Sequence, residues 1–346
     1  MKTYFLCMEN ELIKVEDKKS SVACTYQLQD KHPICLAADP FNQQRIYCGT
    51  VGHGLWLSED TGLNWKQIAQ ELPSKTFTAV VVSPTKSNGN VGKVYAGTQP
   101  STVYYSADAG SAWNEWSDIP SMPSSSEWAF PPKPHTHHVR SIVEEPNTGT
   151  IQVAIEAGAV LRSQDGGNTW LDTKEGHPID AHTLKTHHKA FKRIYAACGA
   201  DGMIISERAV LESFDQGESW IATGHGLDTK PYLYDLAISS NDPNTLIVSA
   251  SENPTTAYNS SSACSSIYRK DGGYPWKEVT KGLPQSKGSL IASLAADPSQ
   301  YDTFYALNNH GLFCSVDKGE TWDQIKIDWK KEYLTQHPRA LLVLSE

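Results

Sequence analysis

Twelve histidines are spread over the 346 residues, and many of them open an apolar, strand-like run. His32 stands in Lys31-His-Pro33, and His135, His137 and His138 in Pro134-His-Thr-His-His-Val139. His182 follows in Asp180-Ala-His-Thr183 and His337 in Gln336-His-Pro338. Between other runs lie His53, Glu156, Asp201, Glu252 and His310. Imidazole with carboxylate is the donor set of zinc, manganese or iron sites, and carboxylates also suit calcium. The same groups serve as general acid and base. The ligands expected for a divalent metal are His137, His182 and Glu156. Alternation puts His135 and His137 on one side of an extended chain and His138 on the other. His138 is therefore the substitute for His137 if the register slips by one residue. Arg140 is expected to hold an anionic substrate group, with Glu156 and Asp201 as the other catalytic candidates. His32, His53, Glu252, His310 and His337 are expected around the same pocket.

These residues meet only if the elements that carry them converge, and a repeat supplies that convergence. The frame Ser-x-Asp-x-Gly-x-x-Trp occurs at Ser58 to Trp65, Ser106 to Trp113, Ser163 to Trp170, Ser213 to Trp220 and Ser315 to Trp322. A worn copy runs from Arg269 to Trp276. The six tryptophans stand 46–57 residues apart, a period that suits one four-stranded propeller blade. The Asp and Ser side chains are expected to bond backbone N–H groups of a tight turn. Gly62, Gly110, Gly167, Gly217, Gly273 and Gly319 are expected to supply positive φ. Between the boxes lie short apolar strands divided by turn residues, the pattern of an all-β chain.

The frame resembles the Asp-box, or bacterial neuraminidase repeat, shared by sialidases, sortilin-type receptors, xyloglucanases and the photosystem II assembly propellers. The resemblance implies that the boxes are structural turns at the outer hairpin of each blade, away from the ligand. Six copies leave both ends unassigned. The run Arg339 to Leu344 reads as a first strand, and Thr3–Met8, Leu12–Val15 and Val22–Tyr26 as the three that complete it. The expected fold is a single all-β domain over 1–346, a seven-bladed β-propeller closed by pairing of its N- and C-terminal strands. The blades are expected at 33–73, 76–120, 137–175, 181–227, 232–284, 289–328, and 338–346 with 1–28. Six blades with a loose N-terminal hairpin is the alternative.

Two insertions break the period, at 116–134 and 251–266, and both connection types emerge on the end of a propeller where first strands enter the channel. Long connections of this kind are often functional. Trp128 and Phe130, in the first insertion, are expected as lid residues or as aromatic anchors for a partner. The formal net charge is −9 with no basic run, which argues against a nucleic-acid surface. No apolar stretch reaches the length of a membrane span. Seven cysteines without a C-x-x-C fit buried thiols, and the expected compartment is the cytoplasm. Sialidases grip a carboxylate with three arginines. Of the seven here only Arg140 and Arg339 fall on first strands, so that activity is not expected. The function expected is that of a metal-dependent hydrolase or lyase acting on a small molecule. The alternative is a non-catalytic propeller that binds a protein or a carbohydrate.

Overall fold

A computed structural model describes residues 2–18, 21–130, 133 and 135–345. Pro131, Pro132 and Pro134, which belong to the first insertion and the histidine run, lie outside the described residues. The short apolar runs form antiparallel strands that gather into seven sheets. Six contain four strands, and the sheet of Val139–Glu144, Ile151–Ile155 and Ala159–Ser163 contains three. Its fourth strand is reduced to one bridge between Arg162 and Leu171. The fold is an all-β seven-bladed propeller. We number the blades from the sheet that begins at Pro33–Asp39.

Blade 7 joins the two ends of the chain. Ala340–Ser345 pairs with Lys2–Cys7 along its whole length, from Lys2 against Ser345 to Cys7 against Ala340. Leu12–Asp17 and Val22–Gln27 complete the sheet. This is the pairing that ring closure requires, and it covers an edge that would otherwise offer free N–H and C=O groups.

The chain divides into two compact units. One comprises residues 30–194 and 213–220, the other 1–29, 195–212 and 221–346. In the first unit, Tyr47, Leu55, Phe77, Val94 and Tyr104 form one apolar cluster, and Tyr95, Trp116, Trp128, Val139, Ile155 and Trp170 another. In the second unit, Tyr4, Leu6, Val15, Tyr305 and Val343 pack together, as do Leu236, Val248, Tyr268 and Trp276. All seven cysteines are free thiols. Among the described residues, no helix is long and apolar enough to cross a membrane.

The five intact boxes share one hydrogen-bond scheme. In the third, the Ser163 hydroxyl donates to Asp165 Oδ1 at 2.9 Å and accepts the Gly167 N–H at 2.8 Å. Asp165 Oδ1 accepts the N–H groups of Asn168 and Thr169. Gly167 has φ 94°, and a Cβ there would meet the Trp116 ring at 2.3 Å. The worn copy departs from expectation, because its left-handed residue is Gly272 (φ 63°) and not Gly273. Gly272 matches Gly166 of the third box, which is also left-handed (φ 78°), so the worn copy keeps the first left-handed residue and loses the second, and in place of the serine Arg269 contacts Asp271.

Hydrogen bonds hold described residues of both insertions within their own units. In the first, Ser124 bonds the Asp172 carboxylate through its N–H at 2.8 Å and its hydroxyl at 2.6 Å, and Trp128 Nε1 donates to the Ser124 hydroxyl. In the second, Pro254–Tyr258 forms a short helix held by a reciprocal Asn253–Thr256 cap.

Candidate functional site

The site is built on blade 3 and the entry to blade 4, all within the unit of residues 30–194. His138 precedes the first strand of blade 3, and Arg140 lies on it. Glu156 follows the second strand, Ile151–Ile155. Asp180 precedes Ala181–Thr186, the first strand of blade 4, and His182 lies on that strand. Two hydrogen bonds tie these segments together. The Glu156 N–H donates to the His138 carbonyl at 3.2 Å, and the Ala157 N–H donates to Asp180 Oδ1 at 2.9 Å.

Glu156 uses its two oxygens differently. Oε2 lies 2.8 Å from His138 Nε2 and 3.0 Å from Arg140 Nε. Oε1 faces His182 Nε2 at 3.8 Å, and the same nitrogen is 3.4 Å from Asp180 Oδ1. Glu156, Asp180 and His182 thus present one donor atom each, all within 4.8 Å of one another, in a group buried except at Glu156.

The electrostatics follow from this crowding. Burial alone drives the Glu156 carboxyl upward, but the His138 hydrogen bond, Arg140 and the two imidazoles outweigh it and hold it at about 2. Burial disfavours the His182 imidazolium, yet Asp180 and then Glu156 prevail, so its pKa is raised. At neutral pH two carboxylates face one guanidinium and one histidine whose proton they stabilise. His138 donates from Nε2 to a carboxylate, which fixes that tautomer and leaves Nδ1 as an acceptor. Nδ1 is buried and has no hydrogen-bond partner among the described residues. The Phe130 ring stands edge-on to His138 at 5.0 Å.

The structure thus gathers Glu156, His182, His138 and Arg140, and adds Asp180. His137 is turned to other work. Its Nδ1 accepts the Ser101 N–H at 3.2 Å, its ring meets Trp128 at 5.5 Å, and burial lowers its pKa. Alternation does separate the two rings: His138, the substitute for His137, faces Glu156 together with Arg140, and the strand they enter carries a bulge between Val139 and Ser141. Arg140 Nε lies 3.0 Å from the Glu156 carboxylate. Trp128 corrects a further expectation. It is 4% exposed and belongs to the core, so it supports the site from behind and offers no face to a partner.

The remaining candidates lie elsewhere. Asp201, in the other unit, is 1% exposed and paired with Arg208 at 2.9 Å, so the structure does not bring it to the blade 3 group. His337 is buried against Tyr234 and Tyr258. His310 Nε2 lies 3.1 Å from the Gly288 carbonyl, and Glu252 is exposed. His135 is exposed, and His32 and His53 form a ring pair of their own. Sequence reasoning missed Asp180, although the signal was present. Asp-x-His at i and i+2 places both side chains on one side of an extended segment.

No family model matches the chain. The xyloglucanase of Hypocrea jecorina (strain QM6a) is 25% identical over 189 residues, which cover 54% of this chain and 18% of that protein. The chain therefore matches a small part of its curated relative. Among solved structures, an ancestral GH74 enzyme aligns with TM-score 0.64 at 18% identity, over 86% of this chain and 39% of that one. A YCF48 structure solved with a D1 peptide aligns with TM-score 0.59 at 17% identity, over 90% of this chain and 92% of that one. YCF48 from Cyanidioschyzon merolae gives 0.57 at 13% identity, covering 90% and 94%. The chain is a seven-bladed Asp-box propeller. It is related in fold to the GH74 and YCF48 structures.

Proposed function

We propose that the propeller binds a divalent transition metal at Glu156, Asp180 and His182, and that it acts there as a hydrolase or lyase on a small molecule. The observation that carries this reading is the spacing of the donors. His182 Nε2 stands 3.4 Å from Asp180 Oδ1 and 3.8 Å from Glu156 Oε1. Those separations are long for N–H···O bonds. They approach the separation of about 3.3–3.6 Å that two ligands adopt around a tetrahedral centre with bonds of about 2.0–2.2 Å. One imidazole and two carboxylates suit zinc, manganese or iron. Such an ion would supply Lewis acidity and lower the pKa of a coordinated water. Arg140 and His138 hold Glu156 Oε2 and leave Oε1 directed at the shared space. The buried His138 Nδ1 gives a ligand one acceptor to bond. In this reading the ligand is a small molecule and the compartment is the cytoplasm.

Metal analysis tests the reading. Protein purified without chelator, then titrated with Zn²⁺, Mn²⁺ and Fe²⁺, should bind one ion per chain. Binding should fall at least tenfold in Asp180→Asn and in Glu156→Gln. Hydrolytic turnover of ester or lactone probes should follow the same losses. Wild-type protein that binds none of these ions would overturn it.

One observation favours a second reading, a non-catalytic propeller that binds a protein. The YCF48 structures align end to end with this chain, covering 92% and 94% of their own lengths, whereas the GH74 alignment covers 39% of that enzyme. Here Glu156 and its neighbours form a closed ion-paired cluster, with the His182 proton in place of a metal. Absence of metal, together with stoichiometric capture of a defined partner peptide, would select it.

A further inference from the structure

We infer that His32 and His53 form a second, independent site for a copper- or zinc-class ion. Their rings stand 5.8 Å apart between centroids, with planes inclined by 38°. For a metal–nitrogen bond of about 2.0–2.1 Å, the ion lies about 3.2 Å from each ring centre. Two rings that share one ion are then about 5.2 Å apart at a tetrahedral angle and about 6.4 Å apart when opposed. The observed separation falls between these limits, the distance at which two imidazoles share one ion.

The two residues come from different connections, and the backbone brings them together. The Val51 N–H donates to the His32 carbonyl at 3.0 Å, which ties the entry of the first blade-1 strand to the loop that carries His53. The His53 carbonyl in turn accepts Trp56 Nε1 at 3.0 Å and Gln67 Nε2 at 3.1 Å. His32 has φ 51°, a left-handed conformation that few residues adopt. Holding both Cα positions in advance reduces the ordering cost of binding. His32 is exposed and His53 half-buried, so an ion reaches both from solvent.

The donor set selects the ion. Two neutral imidazoles with no carboxylate favour Cu²⁺, then Ni²⁺ and Zn²⁺, over the oxygen-seeking Mg²⁺ and Ca²⁺. Among the described residues, no third His, Cys, Asp or Glu joins the pair in a ligand group. Water or an incoming donor fills the remaining positions. The site therefore takes an exchangeable ion with open coordination, in contrast to the buried carboxylate group on blade 3.

The experiment is a Cu²⁺ and Zn²⁺ titration of the full chain, read by calorimetry and by the nitrogen hyperfine pattern of bound Cu²⁺. It is run on wild type, on His32→Asn, on His53→Gln, and on a Glu156→Gln background that removes the other site. Asn is chosen because it tolerates the left-handed backbone. The expected result is a Cu²⁺ site with two equivalent imidazole nitrogens, present in the Glu156→Gln protein. Either histidine substitution should weaken it at least tenfold. Mg²⁺ should not compete. The inference is overturned if the two-nitrogen signal is absent, or if it survives both histidine substitutions. Loss of metal only in Glu156→Gln would support the blade 3 site and refute this one. Unchanged melting of the histidine variants without metal would show that they fold.

Discussion

At the scale of the residue, Glu156 is the pivot, because His138, Arg140 and His182 all address its carboxylate. Its pKa, lowered from 4.5 to about 2, adds stability that is fully present above its ordinary value and is lost as pH falls toward 2. His182 runs the other way. Its raised pKa adds stability below its ordinary value of 6.5, which fades as pH climbs through the folded value. The metal-free cluster should therefore contribute most between about pH 4.5 and 6.5. Thermal melts across pH should show that maximum in wild type and a flatter profile in Glu156→Gln. A metal needs the deprotonated imidazole, so the Zn²⁺-induced rise in Tm should grow as pH increases through the His182 transition. A Zn²⁺ effect that shrinks with rising pH would exclude His182 as a ligand. Much of this site is legible in the order of residues, because Glu156 and His182 sit at strand ends that a propeller must bring near one another. Asp180 is legible too, from its spacing to His182, but the exchange of His137 for His138 is not, since alternation separates the two rings without saying which one faces Glu156, and the strand they enter carries a bulge between Val139 and Ser141.

At the scale of the element, that bulge is not peculiar to blade 3. The innermost strands of blades 1, 2 and 5 shift register near their starts too, at Pro33/Cys35, Phe77/Ala79 and Leu233/Leu236. A bulge turns the chain and re-aims the side chains around it. It recurs where the candidate residues enter, so position along the strand is readable from sequence while facing is not. The boxes show the opposite case. Their spacing alone implies a turn, and the hydrogen bonds then reveal which residue holds it. Ser163 is fully buried and its hydroxyl is the acceptor for a buried N–H, whereas Asp165 caps exposed ones. Ser163→Ala should cost about 1–3 kcal/mol by stranding the Gly167 N–H. Asp165→Ala should cost less. Urea melts of the two variants decide the order, and a larger loss for the aspartate would reverse the assignment.

At the scale of the whole molecule, the pairing of Lys2–Cys7 with Ala340–Ser345 sets the terms of stability. A chain ending at Pro338 loses the strand that covers Lys2–Cys7, together with the buried Val343 and Leu344. It also loses the Arg339 carbonyl that Tyr234 bonds at 2.8 Å. Such a chain should be recovered as soluble monomer in much lower yield and melt at a lower temperature, as measured by size-exclusion chromatography and calorimetry. Unchanged melting would mean that blade 7 stands without its inner strand. The same pairing bears on the order in which the protein is made. Lys2–Cys7 is translated long before Ala340–Ser345, the strand it pairs with. In the interval the nascent strand has an open hydrogen-bonding edge, beside which Tyr4, Phe5 and Leu6 wait for cover. An edge of that kind invites pairing with a neighbouring polypeptide on the same polysome. The interval before residue 340 emerges is thus when this chain most needs a chaperone.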